Sequence, residues 1–140
     1  MLKQIQVMQV RHDAAGSGAF GSRRGTRTHT GVDYHCEPGA AILSPVDGTH
    51  SFYGYCYSND LQWRYVQITD KDGNDHRLFY CTSLIPLRSS VKKDEPIGIA
   101  QDISKRYHGR GMLPHVHYEI RRPDKTFIDP EIFAKQERTQ

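Results

Sequence analysis

The chain has 140 residues, enough for one domain with its own core. Hydrophobic residues make up 36% and charged residues 25%, which excludes a disordered chain, and no apolar run approaches the roughly 20 residues of a membrane helix. The net charge of +3 is mildly basic, and the absence of any nucleic-acid-binding motif leaves two readings of the clustered arginines: solvated surface or attraction to an anionic cell-wall polymer.

The N-terminal MLKQIQVMQVRHD has an early lysine but no long apolar segment. No signal peptide is expected, so the protein would be made in the cytoplasm and reach a cell wall, or travel in a virion, by other means. Residues 14–31 are rich in Gly, Ser and Arg and read as a long loop. Short strands follow. They are expected at Ala40–Ser44, at the aromatic run Gly48–Tyr57, and at Arg64–Thr69, where Val66 and Ile68 alternate with Tyr65, Gln67 and Thr69. Lys71-Asp72-Gly73-Asn74 reads as a hairpin turn into a strand at Arg77–Cys81. Val116–Ile120 alternates again, and Pro130–Lys135 is the best helical candidate. The expected fold is mostly β, a compact antiparallel sheet domain with few short helices. One domain is expected over residues 1–140, with a motif-bearing core at 20–121 and a tail at 122–140.

Cys36, Cys56 and Cys81 form no C-x-x-C pair. Their odd number, without a signal sequence, argues for reduced thiols, although one disulfide stays open. The chain carries eight histidines. In His115-Val116-His117 the two imidazoles are two residues apart on a predicted strand, so they share one face while Val116 enters the core. His29-Thr30-Gly31-Val32-Asp33 brings a third imidazole and a carboxylate, and Gly31 permits a tight approach or a positive φ between them. Two histidines and one aspartate suit zinc, leaving an open position for water and one further histidine beside the metal. His12, His35 and His50 have no partner motif and read as surface residues. His76, near a hairpin tip, is expected to be exposed.

The stretch from Gly21 to Tyr34 (G-x-x-R-G-x-R-x-H-T-G-V-D-Y) leads on to S-P-V-D-G at Ser44–Gly48. It resembles the zinc motif of the LytM/lysostaphin metallopeptidases. Pro114–Glu119 (P-H-V-H-Y-E) resembles that family's second motif, and Val91–Gly98 is similar to its V-x-x-G-x-x-I-G hairpin. The resemblance implies a β-sheet with a zinc-containing groove, and cleavage of peptide bonds in peptidoglycan. It implies zinc ligation by His29, Asp33 and His117, with His115 as a catalytic residue.

Family enzymes carry a second catalytic histidine in a Y-x-H-L strand. Here the segment reads Phe79-Tyr80-Cys81-Thr82, which aligns Thr82 with that histidine. A threonine hydroxyl cannot titrate near neutrality. The departure resembles a branch that includes the leukocyte-derived chemotaxin of vertebrates and related bacterial and phage sequences, where the fold and zinc survive while activity is doubtful. Tyr80 could replace the lost group as an oxyanion donor, and Tyr107 or His108 could reach the metal from the loop before Pro114. Three functions are compatible with this pattern. They are a zinc endopeptidase acting on wall peptides, a zinc-stabilised module that binds the wall or a protein partner, and a structural part of a larger assembly such as a phage tail tip. The retained ligands and His115 favour the peptidase.

Overall fold

The computed structural model describes residues 9–13, 15–24 and 27–138. The N-terminal stretch read for a leader (1–8), part of the Arg-rich loop (14, 25 and 26) and the last two residues lie outside these. Four two-residue strands come first: β1 (His12–Asp13), β2 (Gly16–Ser17), β3 (Arg23–Arg24) and β4 (Arg27–Thr28). They pair as β1 with β2 and β3 with β4, so the expected long loop is a pair of small hairpins. Then follow β5 (Val32–His35), β6 (Ala41–Leu43), β7 (Gly48–Tyr57), β8 (Asp60–Thr69), β9 (Asp75–Phe79), β10 (Cys81–Ser83), β11 (Ser90–Val91), β12 (Pro96–Ala100), β13 (His115–Arg121), β14 (Phe127–Ile128) and one helix, α1 (Pro130–Arg138).

Seven strands form the main antiparallel sheet, in the order β11-β7-β8-β9-β13-β14, with β5 also paired to β13. A second sheet has the order β10-β12-β6. Period-two alternation puts Val66, Ile68, Leu78, Val116 and Ile120 of the main sheet into one core with Ile42, Cys81 and Ile97 of the small sheet. Each such fully buried aliphatic side chain contributes about 1.5–3 kcal/mol. α1 begins as its sequence suggests: the Asp129 carboxylate accepts from the Glu131 backbone N–H at 2.9 Å, with Pro130 in the first turn. Its Phe133 packs against the core.

Three expectations are corrected. Val91–Gly98 is not a hairpin: β11 pairs with β7 in the main sheet, whereas β12 pairs with β6 and β10 in the small one. The strand expected at Arg77–Cys81 is broken at Tyr80, which has φ 70°. His50 and His76 are buried, not exposed, at 1% and 0% accessibility. On β9, His76 shares the face of Leu78, so the alternation that buries Leu78 buries His76 as well. Within residues 122–140, Phe127 and Ile128 pair with Arg121 and Ile120 of the main sheet. Among the described residues no helix is long and apolar enough to cross a membrane.

Candidate metal centre

β13 sits between β9 on one side and β5 on the other, and this brings three distant segments together. His117 pairs with Asp33 on β5 and with Phe79 on β9. Because alternation turns His115, His117 and Glu119 to the same side, all three line one cleft of about 800 Å³. Asp33 reaches the same side of β5, while Val32 and Tyr34 enter the core. His29 precedes β5 and closes over the top. Gly31 makes that crossing possible through close approach: a Cβ there would lie 2.3 Å from the Tyr118 carbonyl oxygen. Its φ is not positive, so of the two roles open to Gly31 the structure uses contact.

His29, Asp33 and His117 converge on one point. His29 Nε2 lies 3.0 Å from His117 Nδ1 and 3.1 Å from Asp33 Oδ1, and His117 Nδ1 lies 2.9 Å from Asp33 Oδ1. A tetrahedral zinc ion with bonds of about 2.0–2.2 Å holds its donors about 3.3–3.5 Å apart, so this triangle needs only a slight spread. The far side of each ligand is fixed by an acceptor or a cation. His29 Nδ1–H donates to the Ala19 carbonyl at 3.1 Å, and His117 Nε2–H donates to Glu119 Oε1 at 2.9 Å. Carbonyl and carboxylate oxygens only accept, so these nitrogens carry protons, and in the neutral rings that a metal would bind the lone pairs of the others face the triangle. Asp33 Oδ2 accepts from Arg11 at 3.1 Å and Arg24 at 3.4 Å, leaving Oδ1 for the centre. The donor set therefore fits a zinc ion. Without a metal the triangle is bridged by protons: burial opposes a charge on Asp33, but the His117 and His29 rings beside it hold its carboxyl well below the usual carboxylate range. Burial likewise opposes a charge on His117, but Asp33 and Glu119 push its pKa up to about 9.

His115 stands beside this set. Its Nδ1–H donates to the Leu113 carbonyl at 2.8 Å, and its Nε2 lies 3.7 Å from Asp33 Oδ2. Burial lowers its pKa despite the Asp33 charge. Across the cleft, Tyr80 sets its ring edge-on to His115 at 5.5 Å. In an unbroken strand Tyr80 would face away from Phe79. The left-handed φ at Tyr80 keeps both rings on the cleft, at a cost of about 1–2 kcal/mol. The turn is pinned by backbone bonds, Tyr80 N–H to Arg64 O and Gln101 N–H to Tyr80 O, each 2.8 Å. Cys81 then enters the core, and Thr82 lies exposed on β10, outside the cleft lining. The group facing His115 is thus Tyr80, and the alignment that set Thr82 there is corrected.

Tyr107 lines the cleft, whereas His108 is exposed and does not. Sequence reasoning missed three groups that shape the site. Glu119 is readable as the third member of His115-x-His117-x-Glu119, one face of one strand. Arg11, 3% exposed, precedes the motif region and carries no local signal. Tyr57, at the end of β7, meets the cleft only through sheet pairing. Cys56 and Cys81 are free thiols.

Residues 27–130 match peptidase family M23. No curated protein matches in sequence. Several solved structures share the fold. The antimicrobial peptidase lysostaphin from Staphylococcus simulans is 17% identical with a TM-score of 0.71, over 96% of this chain and 52% of that one. Its catalytic domain is 20% identical with a TM-score of 0.65, over 86% and 90%. A variant catalytic domain of the prophage-encoded M23 protein EnpA from Enterococcus faecalis is 21% identical with a TM-score of 0.64, over 89% and 90%. A zinc-containing peptidase from Vibrio cholerae is 21% identical with a TM-score of 0.63, over 90% and 38%. The chain thus spans about half of lysostaphin but most of its catalytic domain.

Proposed function

Because the chain belongs to peptidase family M23, we propose that it is a zinc-dependent endopeptidase acting on peptide bonds of peptidoglycan. The observation that carries this reading is the converging triangle of His29, Asp33 and His117 beside His115. Zinc in that triangle would supply Lewis-acid polarisation of the scissile carbonyl and a water acidic enough to attack at neutral pH.

The chain's own residues do the remaining work. Glu119 and the Ala19 carbonyl hold the two imidazoles in their ligating tautomers. The Leu113 carbonyl fixes the His115 Nδ1 proton and so presents Nε2 to the cleft. Nε2 takes the proton from the attacking water and passes it to the departing amine. Tyr80 donates its O–H to the carbonyl oxygen as negative charge develops there. Burial raises the Tyr80 pKa, so the phenol stays a neutral donor. The test is release of new amino termini from purified sacculi by the zinc-loaded protein. Turnover that falls about 10²–10⁴-fold in His115→Ala supports the reading, and no release by the wild type overturns it.

One observation favours a second reading, a zinc-stabilised module that binds wall peptides without cutting them. Among the described residues, the only histidines lining the cleft are His29, His115 and His117, so no second acid–base imidazole is at hand. Zinc-dependent retention on sacculi without release would establish that alternative.

A further inference from the structure

Three tyrosine hydroxyls lie in a row at the cleft. Tyr57 Oη is 3.3 Å from Tyr80 Oη and 2.9 Å from Tyr107 Oη. They come from three separate places: the end of β7, the left-handed residue between β9 and β10, and the loop after the 3-10 turn Ile103–Lys105. The Tyr57 ring lies parallel to that of Tyr80, with centroids 6.4 Å apart and planes at 14°. Its other neighbour is the Arg106 guanidinium, 3.9 Å from the ring centroid and itself held by Asp60 at 3.4 Å. Burial pushes the Tyr57 pKa up to about 12, so this hydroxyl keeps its proton at neutral pH.

Each phenol has one proton and an oxygen that can accept, so the three can form a chain running in one direction. An oxyanion can only accept. When Tyr80 donates to it, the Tyr80 oxygen is free to accept from Tyr57, whose oxygen in turn accepts from Tyr107. The reverse direction would turn the Tyr80 proton away from the substrate.

We propose that Tyr57, backed by Tyr107, is a positioning residue that aims the Tyr80 O–H at the carbonyl oxygen of the bound peptide and strengthens it as a donor. The inference rests on the peptidase reading and adds to it what replaces a catalytic imidazole here: an ordered file of neutral hydroxyls. Hydrogen bonds in such a file polarise one another, so the Tyr80 donor gains most when its acceptor becomes charged. That gain belongs to the transition state and should be read in kcat rather than in KM.

The experiment is a double-mutant cycle on the zinc-loaded protein, with a soluble wall-derived peptide as substrate. It uses Tyr57→Phe, Tyr80→Phe, the double variant and Tyr107→Phe, with melting curves and metal content as checks of folding. Tyr80→Phe is expected to lower kcat about 10²-fold or more, as for loss of an oxyanion donor. Tyr57→Phe is expected to lower kcat about fivefold with KM unchanged, and Tyr107→Phe by less, as for loss of one neutral hydrogen bond. In the Tyr80→Phe background, Tyr57→Phe should have no further effect, because Tyr57 acts through Tyr80. An equal loss in both backgrounds, a change confined to KM, or wild-type kcat in Tyr57→Phe overturns the inference and leaves the peptidase reading standing. No turnover by the wild type overturns both.

Discussion

Two buried imidazoles lie on opposite faces of the main sheet, and each donates to a carboxylate, yet only one belongs to the candidate metal centre. His117 donates Nε2–H to Glu119 on the cleft face. His76 donates Nε2–H to Asp70 at 2.8 Å on the core side, and its Nδ1 accepts from the Tyr118 hydroxyl at 2.7 Å. The His76 set is closed, because every proton meets a lone pair. The His117 set is not: its Nδ1, His29 Nε2 and Asp33 Oδ1 meet at one point, three atoms that can each give an electron pair to a metal in place of a proton. The comparison teaches that burial and a carboxylate partner do not mark a ligand. What marks it is where the last lone pair points, which explains why His76 serves the core and His117 the cleft.

The comparison can be broken most sharply at its two centres. His117→Ala is expected to abolish metal binding, read as zinc per chain by mass spectrometry. Turnover should fall by at least the roughly 10²–10⁴ of a lost acid–base group. His76→Ala should do the reverse, retaining the metal while losing about 2–4 kcal/mol of stability in urea unfolding, from a cavity and the loss of two buried hydrogen bonds. Metal loss in His76→Ala would erase the distinction between the two faces.

Subtler changes sharpen it. Glu119→Gln keeps the shape but weakens the fixing of the His117 tautomer, and zinc affinity should fall about 10–100-fold in chelator competition. On the other face, burial opposes the Asp70 charge, but His76 and the Asn74 backbone hold its pKa down at about 2. A lowered carboxylate pKa contributes stability that is complete above the unfolded value, near 4, and lost as pH falls through the folded value. The stability difference between wild type and Asp70→Asn should therefore be flat above pH 5 and shrink between pH 4 and about 2. The smallest effect is expected at Thr82. Thr82→His sits on exposed β10, away from the cleft, and should leave activity unchanged and stability within about 0.5 kcal/mol. A large gain in activity there would restore Thr82 as the missing acid–base position.

Much of the fold was legible along the chain because period-two burial is a local property. The alternation Tyr65-Val66-Gln67-Ile68 named its core face, and Pro130 after Asp129 marked the helix start. His115-x-His117 placed two imidazoles on one face, and the spacing of His29 and Asp33 around Gly31 anticipated a tight approach. Those patterns determined which side chains could meet a metal, since strand geometry fixes side-chain direction within a few residues. The pairing of segments far apart in sequence was a matter for the tertiary structure. It set Arg11 behind Asp33 and joined Tyr57 to Tyr80 and Tyr107. It also turned Tyr80 into the cleft and Thr82 out of it, through one left-handed residue held by bonds from β8 and from Gln101. A broken alternation of that kind has no signature in a Phe-Tyr-Cys-Thr string. Its cost is met by contacts that exist only once the sheets have assembled.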